Sequence, residues 1–114
     1  MVKRSEVALS ATLSALADPS RRAILDHLAR GPQSVSTLAE PLGVSLPAVL
    51  KHLAVLEEGG LVESRKRGRV RTCSLRAQGL DETVRWLNER HRRWTTRLDQ
   101  LDTYLRENDR DRQQ

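Results

Sequence analysis

Apolar residues along most of this chain recur with the spacing of α-helices. In the first half, that pattern predicts four helices at about 6–17, 19–30, 35–42 and 46–58. Residues with strong boundary preferences separate them: Asp18-Pro19 begins the second, Gly31-Pro32 ends it, and Gly43 ends the third. Ser34 and Ser45 are predicted to cap the third and fourth helices, because a serine hydroxyl accepts a hydrogen bond from a first-turn N–H.

Two short strands, Leu61–Arg67 and Val70–Arg76, are predicted after the fourth helix, with Gly68 in the turn between them. Their composition is polar and basic, so this prediction depends more on context than on β-propensity. The predicted fold class is therefore mainly α, with about five helices and one small β-hairpin.

The helical period returns at about residue 80 and lasts to about residue 105. Its apolar positions alternate in steps of three and four, the period of a coiled-coil seam: Val84, Leu87, His91, Trp94, Leu98, Leu101 and Leu105. The seam favours a helix from a second copy as its partner; packing within its own small domain is the alternative. We expect one domain over 1–107, with this helix used for dimerisation, and a polar, disordered tail over 108–114.

The net charge of +5 is unevenly distributed over the 114 residues. Residues 1–77 hold 12 basic and 7 acidic side chains, whereas residues 78–114 hold 8 of each. A localised basic excess favours a polyanionic partner, nucleic acid first. Cys73 is the single cysteine, which excludes a disulfide within the chain and fits a reducing cytoplasm. No apolar run approaches the roughly 20 residues of a membrane span.

The third and fourth helices, joined at Gly43-Val44, form a candidate helix-turn-helix, and the basic hairpin makes it a winged variant. Residues of the fourth helix and of the hairpin are the candidate DNA contacts: Ser45, Leu46, Pro47, Leu50, Lys51, His52, Arg65, Lys66, Arg67, Arg69 and Arg71. Lys51 can donate to guanine, the apolar residues can contact thymine methyl groups, and the hairpin cations suit phosphates. For His52, packing and phosphate contact both remain open.

Four segments are characteristic of a known family: Leu16-Ala-Asp-Pro-Ser-Arg-Arg-Ala-Ile-Leu25, Val35-Ser-Thr-Leu-Ala39, Ser45-Leu-Pro-Ala-Val-Leu-Lys-His-Leu-Ala-Val-Leu56 and Gly60-Leu-Val62. Through them, the sequence resembles the ArsR family of winged-helix repressors over about residues 10–76. It implies a homodimer built from the first and last helices, and repression at an inverted repeat near the protein's own operon. For the first helix, Leu9 and Leu13 are the candidate interface residues.

Metal-sensing members of this family carry paired cysteines where this chain has Ser34 and Ser36. A second family site uses carboxylates and histidines on the last helix, but here His91 is followed by Trp94 and Asp81 by Thr83. A borderline or soft metal ion therefore lacks its ligands, and we expect neither a metal nor another cofactor.

These observations predict a DNA-binding transcriptional regulator, most simply a homodimeric repressor, and leave the signal that it senses open. The sequence contains no phosphate-binding glycine loop and no catalytic motif, so we do not expect an enzyme. One alternative is a protein-interaction module with only non-specific DNA binding, favoured by the apolar residues on the fourth helix. Another is a redox-responsive regulator acting through Cys73, since nearby arginines can lower a thiol pKa.

Overall fold

The computed structural model describes residues 4–112, which divide between Thr83 and Val84 into two compact units. The elements follow in this order: α1 (Arg4–Leu16), α2 (Pro19–Leu28), β1 (Gln33–Ser34), α3 (Val35–Leu42), α4 (Leu46–Glu58), β2 (Val62–Arg67), β3 (Val70–Leu75), a 3-10 turn (Ala77–Leu80) and α5 (Asp81–Arg112). The first unit ends within the first turn of α5, and the rest of α5 forms the second unit.

The first four helices and both hairpin strands lie within two residues of their predicted bounds. The sequence pattern missed β1, which pairs with β3 and completes an antiparallel sheet of order β1-β3-β2. A strand of two residues has no alternation to detect, and its hydrogen bonds are to residues 72 and 73, far along the chain.

Helix α5 continues to Arg112, beyond its predicted end near residue 105, so residues 108–112 are helical where disorder was expected. Arg110 and Arg112 lie in the last turn, where cations complement the negative end of the helix dipole, and Arg106 pairs with Asp102 just before this segment at 3.1 Å. Residues 113 and 114 of the predicted tail, and residues 1–3 of the predicted domain, lie outside the described residues. No single helix within residues 4–112 is long and apolar enough to cross a membrane.

The core of the first unit is formed by the inner faces of its helices together with the start of the hairpin. Its buried residues are Ala15, Ile24, Leu28, Val35, Leu38, Val49, Leu53, Leu56, Leu61, Val62 and Cys73. The predicted inner face of α4 is therefore confirmed, because Val49, Leu53 and Leu56 are fully buried. Burying this face leaves the opposite side of α4 for a partner.

Two arginines of α2 are used inside the fold, at the corner between α1 and α2. Arg21 and Arg22 donate to the carbonyl oxygens of residues 14–16 at 2.7–2.9 Å, which satisfies the open C-terminus of α1. Asp18 caps α2 by accepting the Arg21 backbone N–H at 3.1 Å, and this hydrogen bond lowers the pKa of Asp18. The basic excess of the first unit is thus partly structural.

Helix α1 packs closely on the C-terminus of α4. Thr12 is buried, and its hydroxyl lies 2.7 Å from the carbonyl oxygen of Gly59 and 3.0 Å from that of Ala8. A Cβ on Gly59 would lie 3.0 Å from the Ala11 carbonyl oxygen and the Ala15 Cβ, so a larger side chain would push the two helices slightly apart. The contact fixes the end of α4 from which the hairpin begins.

Replacing Thr12 with valine is expected to destabilise the protein by about 1–3 kcal/mol, because the Gly59 carbonyl loses its donor in a buried position. Urea unfolding at one fixed protein concentration measures this difference. The matched control is Thr103→Val, since the exposed Thr103 hydroxyl bonds only to the Asp99 carbonyl in its own helix. Equal stability losses in the two variants would contradict the assigned role of Thr12.

Candidate nucleic-acid interface

Helices α3 and α4 meet at 110°, within the range of a helix-turn-helix. The turn begins at Gly43, whose φ of 63° is left-handed and suits glycine. Ser45 then caps α4 by accepting the Ala48 N–H at 3.3 Å, and its own O–H proton can still donate to a phosphate. The turn therefore presents the N-terminus of α4, where groups that read DNA are expected.

The outer face of α4 carries the predicted contact residues. Leu46, Pro47, Leu50 and Lys51 are all exposed, with exposed fractions of 46% for Leu46 and 38% for Leu50. His52 lies instead on the side of α4 that is half-buried, close enough to Asp18 to contribute to the lowering of the Asp18 pKa. The structure thus separates His52 from the four exposed residues.

Ala54 belongs to the same face and was missed by the sequence analysis. It is exposed and follows Pro47, Leu50 and Lys51 at helical spacing. A side chain of one methyl group lets a helix backbone approach the floor of a groove closely. Alanine gives no chemical signal of its own, but its position on the exposed stripe could have identified it.

The hairpin is held in a register that places its cations at the tip. Arg67 pairs with Val70 across a two-residue loop, Gly68-Arg69, and Gly68 has a φ of 61°. A positive φ at the first loop position alone is the pattern of a type II′ turn, which suits the twist of a tight hairpin. Arg65, Lys66, Arg67 and Arg69 are all exposed around this tip.

Few carboxylates lie close enough to these four cations to neutralise them. Arg65 pairs with Glu63 at 3.6 Å, but both side chains are largely exposed, so the pair is weak. Within residues 4–112, no carboxylate lies within 4.0 Å of the Lys66, Arg67 or Arg69 charges. A polyanion would relieve the repulsion among them, as predicted for a wing on a phosphate backbone.

Arg71, the fifth predicted hairpin contact, has a different environment. It lies on the sheet face that turns toward α4, and its Nη2 is 2.8 Å from Glu57 Oε1. Its Nε donates to Ser64 Oγ at 3.0 Å, and Ser64 donates to the same Glu57 oxygen. The guanidinium is therefore bound within the protein.

A shallow groove brings α4, the candidate recognition helix, and the hairpin tip together. Its volume is about 310 Å³, and its walls are Ser34, Val35, Ser36, Leu46, Leu50, Arg69, Val70 and Arg71. Leu46, Leu50 and Val70 form an exposed apolar floor, with Arg69 beside them. Residues of α3, α4 and the hairpin thus form one surface that is apolar at its centre and cationic at its edge.

Cys73 is fully buried in β3, opposite Ser64 in the register. Burial raises the pKa of its thiol, and the nearby Glu57 raises it further, against a lowering by Arg71. A redox sensor needs an accessible, acidic thiol, so the environment of Cys73 is that of a small core residue. In the part of the chain that the structure describes, no three His, Cys, Asp or Glu side chains cluster as a metal site.

Wild-type protein is therefore expected to keep its DNA affinity after mild peroxide treatment, just as Cys73→Ser does, because the buried thiol does not react in the folded state. Fluorescence anisotropy before and after treatment measures this, and thiol labelling in urea confirms that Cys73 was reduced. If peroxide lowered the DNA affinity of the wild type but not that of Cys73→Ser, Cys73 would be a redox-sensitive residue after all.

The second unit carries an uncovered apolar stripe along α5. All seven predicted seam residues are exposed, with fractions of 62% for Trp94 and 64% for Leu98. On α1, Leu13 is exposed and Leu9 is half-buried. A contiguous apolar stripe of this length on a polar helix is typical of an interface with another helix.

A helix-turn-helix whose second helix leads into a basic two-stranded hairpin defines a winged helix-turn-helix protein. A helix-turn-helix domain family matches residues 16–65. The crystal structure of an ArsR-family transcriptional regulator, RHA00566, superimposes with a TM-score of 0.74 at 41% identity, over 83% of this chain and 97% of that one. This chain belongs to the ArsR family of transcriptional regulators.

Two further relatives extend this assignment. The chain is 50% identical over 66 residues to the HTH-type transcriptional regulator Rv2034 of Mycobacterium tuberculosis, a match that spans 58% of this chain and 62% of Rv2034. The Mb0332 fragment from Mycobacterium bovis, a homodimeric winged helix-turn-helix DNA-binding domain, has a TM-score of 0.60 at 29% identity, covering 74% of this chain and 81% of Mb0332. Because the family consists of transcriptional regulators, the expectation that the chain is not an enzyme is confirmed.

Proposed function

We propose that this regulator binds double-stranded DNA as a homodimer and recognises an inverted-repeat operator. The observation that carries the proposal is the shared surface of the recognition helix and the wing, where Leu46 and Leu50 border Arg69 in one groove. A major groove about 12 Å wide accepts one helix, and a cationic hairpin beside that helix meets the adjacent phosphates.

Sequence reading is assigned to the exposed face of α4. Lys51 donates to the N7 and O6 acceptors of guanine, while Leu46, Pro47 and Leu50 contact thymine methyl groups. Ser45 and the N-terminus of α4 hold a phosphate, which fixes the register of the helix. Arg65, Lys66, Arg67 and Arg69 supply contacts that are independent of sequence. His52 is left to packing, because it is half-buried near Asp18.

The dimer is assigned to the α5 stripe, with Leu9 and Leu13 of α1 contributing. Two copies joined through a twofold axis place two identical recognition helices on one face of the duplex, which matches an inverted repeat. Each fully covered leucine of the stripe contributes about 1.5–3 kcal/mol by removal from water. The resemblance to winged-helix repressors implies that the bound dimer represses transcription, in the cytoplasm where the DNA is accessible.

Lys51→Ala is expected to weaken operator binding by about 1–3 kcal/mol while leaving binding to a scrambled duplex nearly unchanged, because a base contact is lost. The operator is first selected from a random duplex library, and affinity is measured by fluorescence anisotropy.

Lys66→Ala is the matched control for Lys51→Ala, since it removes the same side chain from the wing. It is expected to weaken both duplexes alike and to reduce the salt slope by about 0.9 per lost phosphate contact. Equal losses on operator and scramble for Lys51→Ala would contradict its role in base reading.

A further inference from the structure

A small polar cluster ties the wing to the end of the recognition helix. It joins Glu57 in the last turn of α4, Ser64 in β2 and Arg71 in β3, the three side chains named above. Each member bonds to both others, so the three elements are linked in a closed triangle. In the hairpin register, Ser64 lies opposite Cys73 and Arg71 lies opposite Lys66, so the cluster reaches from the middle of the hairpin to the start of the tip that carries the four wing cations.

The cluster also explains a charge arrangement that would otherwise be unfavourable. Arg71 lies directly opposite Lys66 in the hairpin register, and like charges in that position destabilise a strand pair. Glu57 supplies the counter-charge for Arg71 from a different element. Glu57 thus compensates one of the two like charges in this cross-strand pair.

These hydrogen bonds and this ion pair contribute little to the stability of the fold. The side chains of Arg71 and Glu57 are 39% and 30% exposed, and ion pairs with that access to water contribute little to folding. Geometry is a stronger role, because the hydrogen bonds of a planar guanidinium are directional, and here they join α4 to both strands of the hairpin at a distance from the Gly59-Gly60 connection. The packing of Gly59 fixes where the hairpin begins, and the cluster adds a second attachment further along it.

We propose that Glu57, Ser64 and Arg71 form a positioning cluster that sets the wing at a fixed angle to the recognition helix and thereby contributes to operator specificity. Arg71 acts through Glu57 and Ser64, not as a phosphate contact. The proposal rests on the DNA-binding function above. A fixed angle lets helix and wing meet groove and backbone together only on DNA of the right shape and sequence.

The Glu57→Gln variant distinguishes a positioning role from a purely electrostatic one, because the two roles predict opposite effects on operator binding. Removing a carboxylate near a DNA-facing surface raises the positive charge, which by itself strengthens binding to any duplex. The positioning role predicts a roughly tenfold fall in the ratio of operator affinity to scramble affinity. The matched control is Glu58→Gln, an adjacent and exposed change of equal charge, for which the ratio should stay at the wild-type value.

Arg71→Lys and Ser64→Ala provide independent tests of the same cluster. Lysine keeps the charge of Arg71 but lacks the fork that reaches both Glu57 and Ser64, so the affinity ratio should fall with no change in salt slope. The double variant Glu57→Gln/Arg71→Lys should lose no more than the stronger single variant, because both disrupt one unit. Urea unfolding confirms that each variant is folded.

The experiment is an anisotropy titration of these full-length variants against the selected operator and its scramble at two salt concentrations. A lower affinity ratio for Glu57→Gln but not for Glu58→Gln supports the positioning cluster. An unchanged or higher ratio for Glu57→Gln overturns it, as does a loss for Arg71→Lys that is equal on both duplexes. If the wild type itself fails to distinguish operator from scramble, the DNA-binding proposal fails and the cluster's role fails with it.

Discussion

Replacing Leu98 with aspartate is expected to convert the dimer into a monomer and to abolish tight operator binding. Leu98 is 64% exposed near the centre of the α5 stripe. In a twofold interface every substitution occurs twice, and the loss of two packed leucine side chains alone costs about 4 kcal/mol. The dimer dissociation constant should therefore rise by roughly a thousandfold, before the burial of two carboxylates is counted.

Light scattering over a range of protein concentrations measures this change directly. Thr96→Asp is the matched control, because Thr96 is exposed on the opposite side of α5 and its replacement introduces the same charge. The Thr96→Asp protein should remain dimeric. A Leu98→Asp protein that stays dimeric at micromolar concentration would show that the stripe is not the interface.

Replacing Arg65, Lys66, Arg67 and Arg69 together with alanine should remove most of the affinity for any duplex. A dimer loses eight exposed cations, and each phosphate contact contributes about 0.9 to the slope of log affinity against log salt. The slope should fall by up to roughly 7, and affinity at physiological salt by at least roughly 100-fold. Circular dichroism should be unchanged, since the four side chains are exposed and Gly68 still forms the turn.

The control for the wing variant removes the same charge from α5, through alanine at Arg92, Arg93, Arg97 and Arg110, all exposed. If net charge alone attracts DNA, the two variants should lose affinity equally. If the wing is the contact, the α5 variant should keep a salt slope close to that of the wild type. Equal slopes in the two variants would exclude the wing as the main phosphate contact.

The helices and strands of this fold could be predicted closely because side chains within a few residues determine where each one begins and ends. Ser45 caps α4 and Gly43 takes the left-handed conformation that ends α3, and both effects act within a few residues. The inner face of α4 followed from spacing alone. The polar composition of residues 108–112 predicts disorder, but these residues continue α5, where Arg110 and Arg112 favour the C-terminal end of the helix.

Contacts between distant residues could not be predicted in the same way. Glu57 and Arg71 are 14 positions apart and belong to different elements, so no spacing rule connects them. Arg71 was grouped with the wing cations because the sequence shows charge but not the direction of a side chain. Ala54 illustrates the opposite case, because it lies on the exposed face of α4 but its methyl side chain gives no chemical signal in the sequence.

Sequence-specific DNA binding by a dimer can be measured in a single selection and titration experiment. The wild-type protein is used to select duplexes from a random library, and the enriched sequence is titrated by fluorescence anisotropy beside a scramble of equal length, at low and physiological salt. We expect an enriched inverted repeat that is bound at least roughly 1,000-fold more tightly than the scramble at physiological salt. No enriched repeat, with equal and salt-sensitive binding to all duplexes, would contradict this expectation and favour a protein partner for the exposed apolar surface.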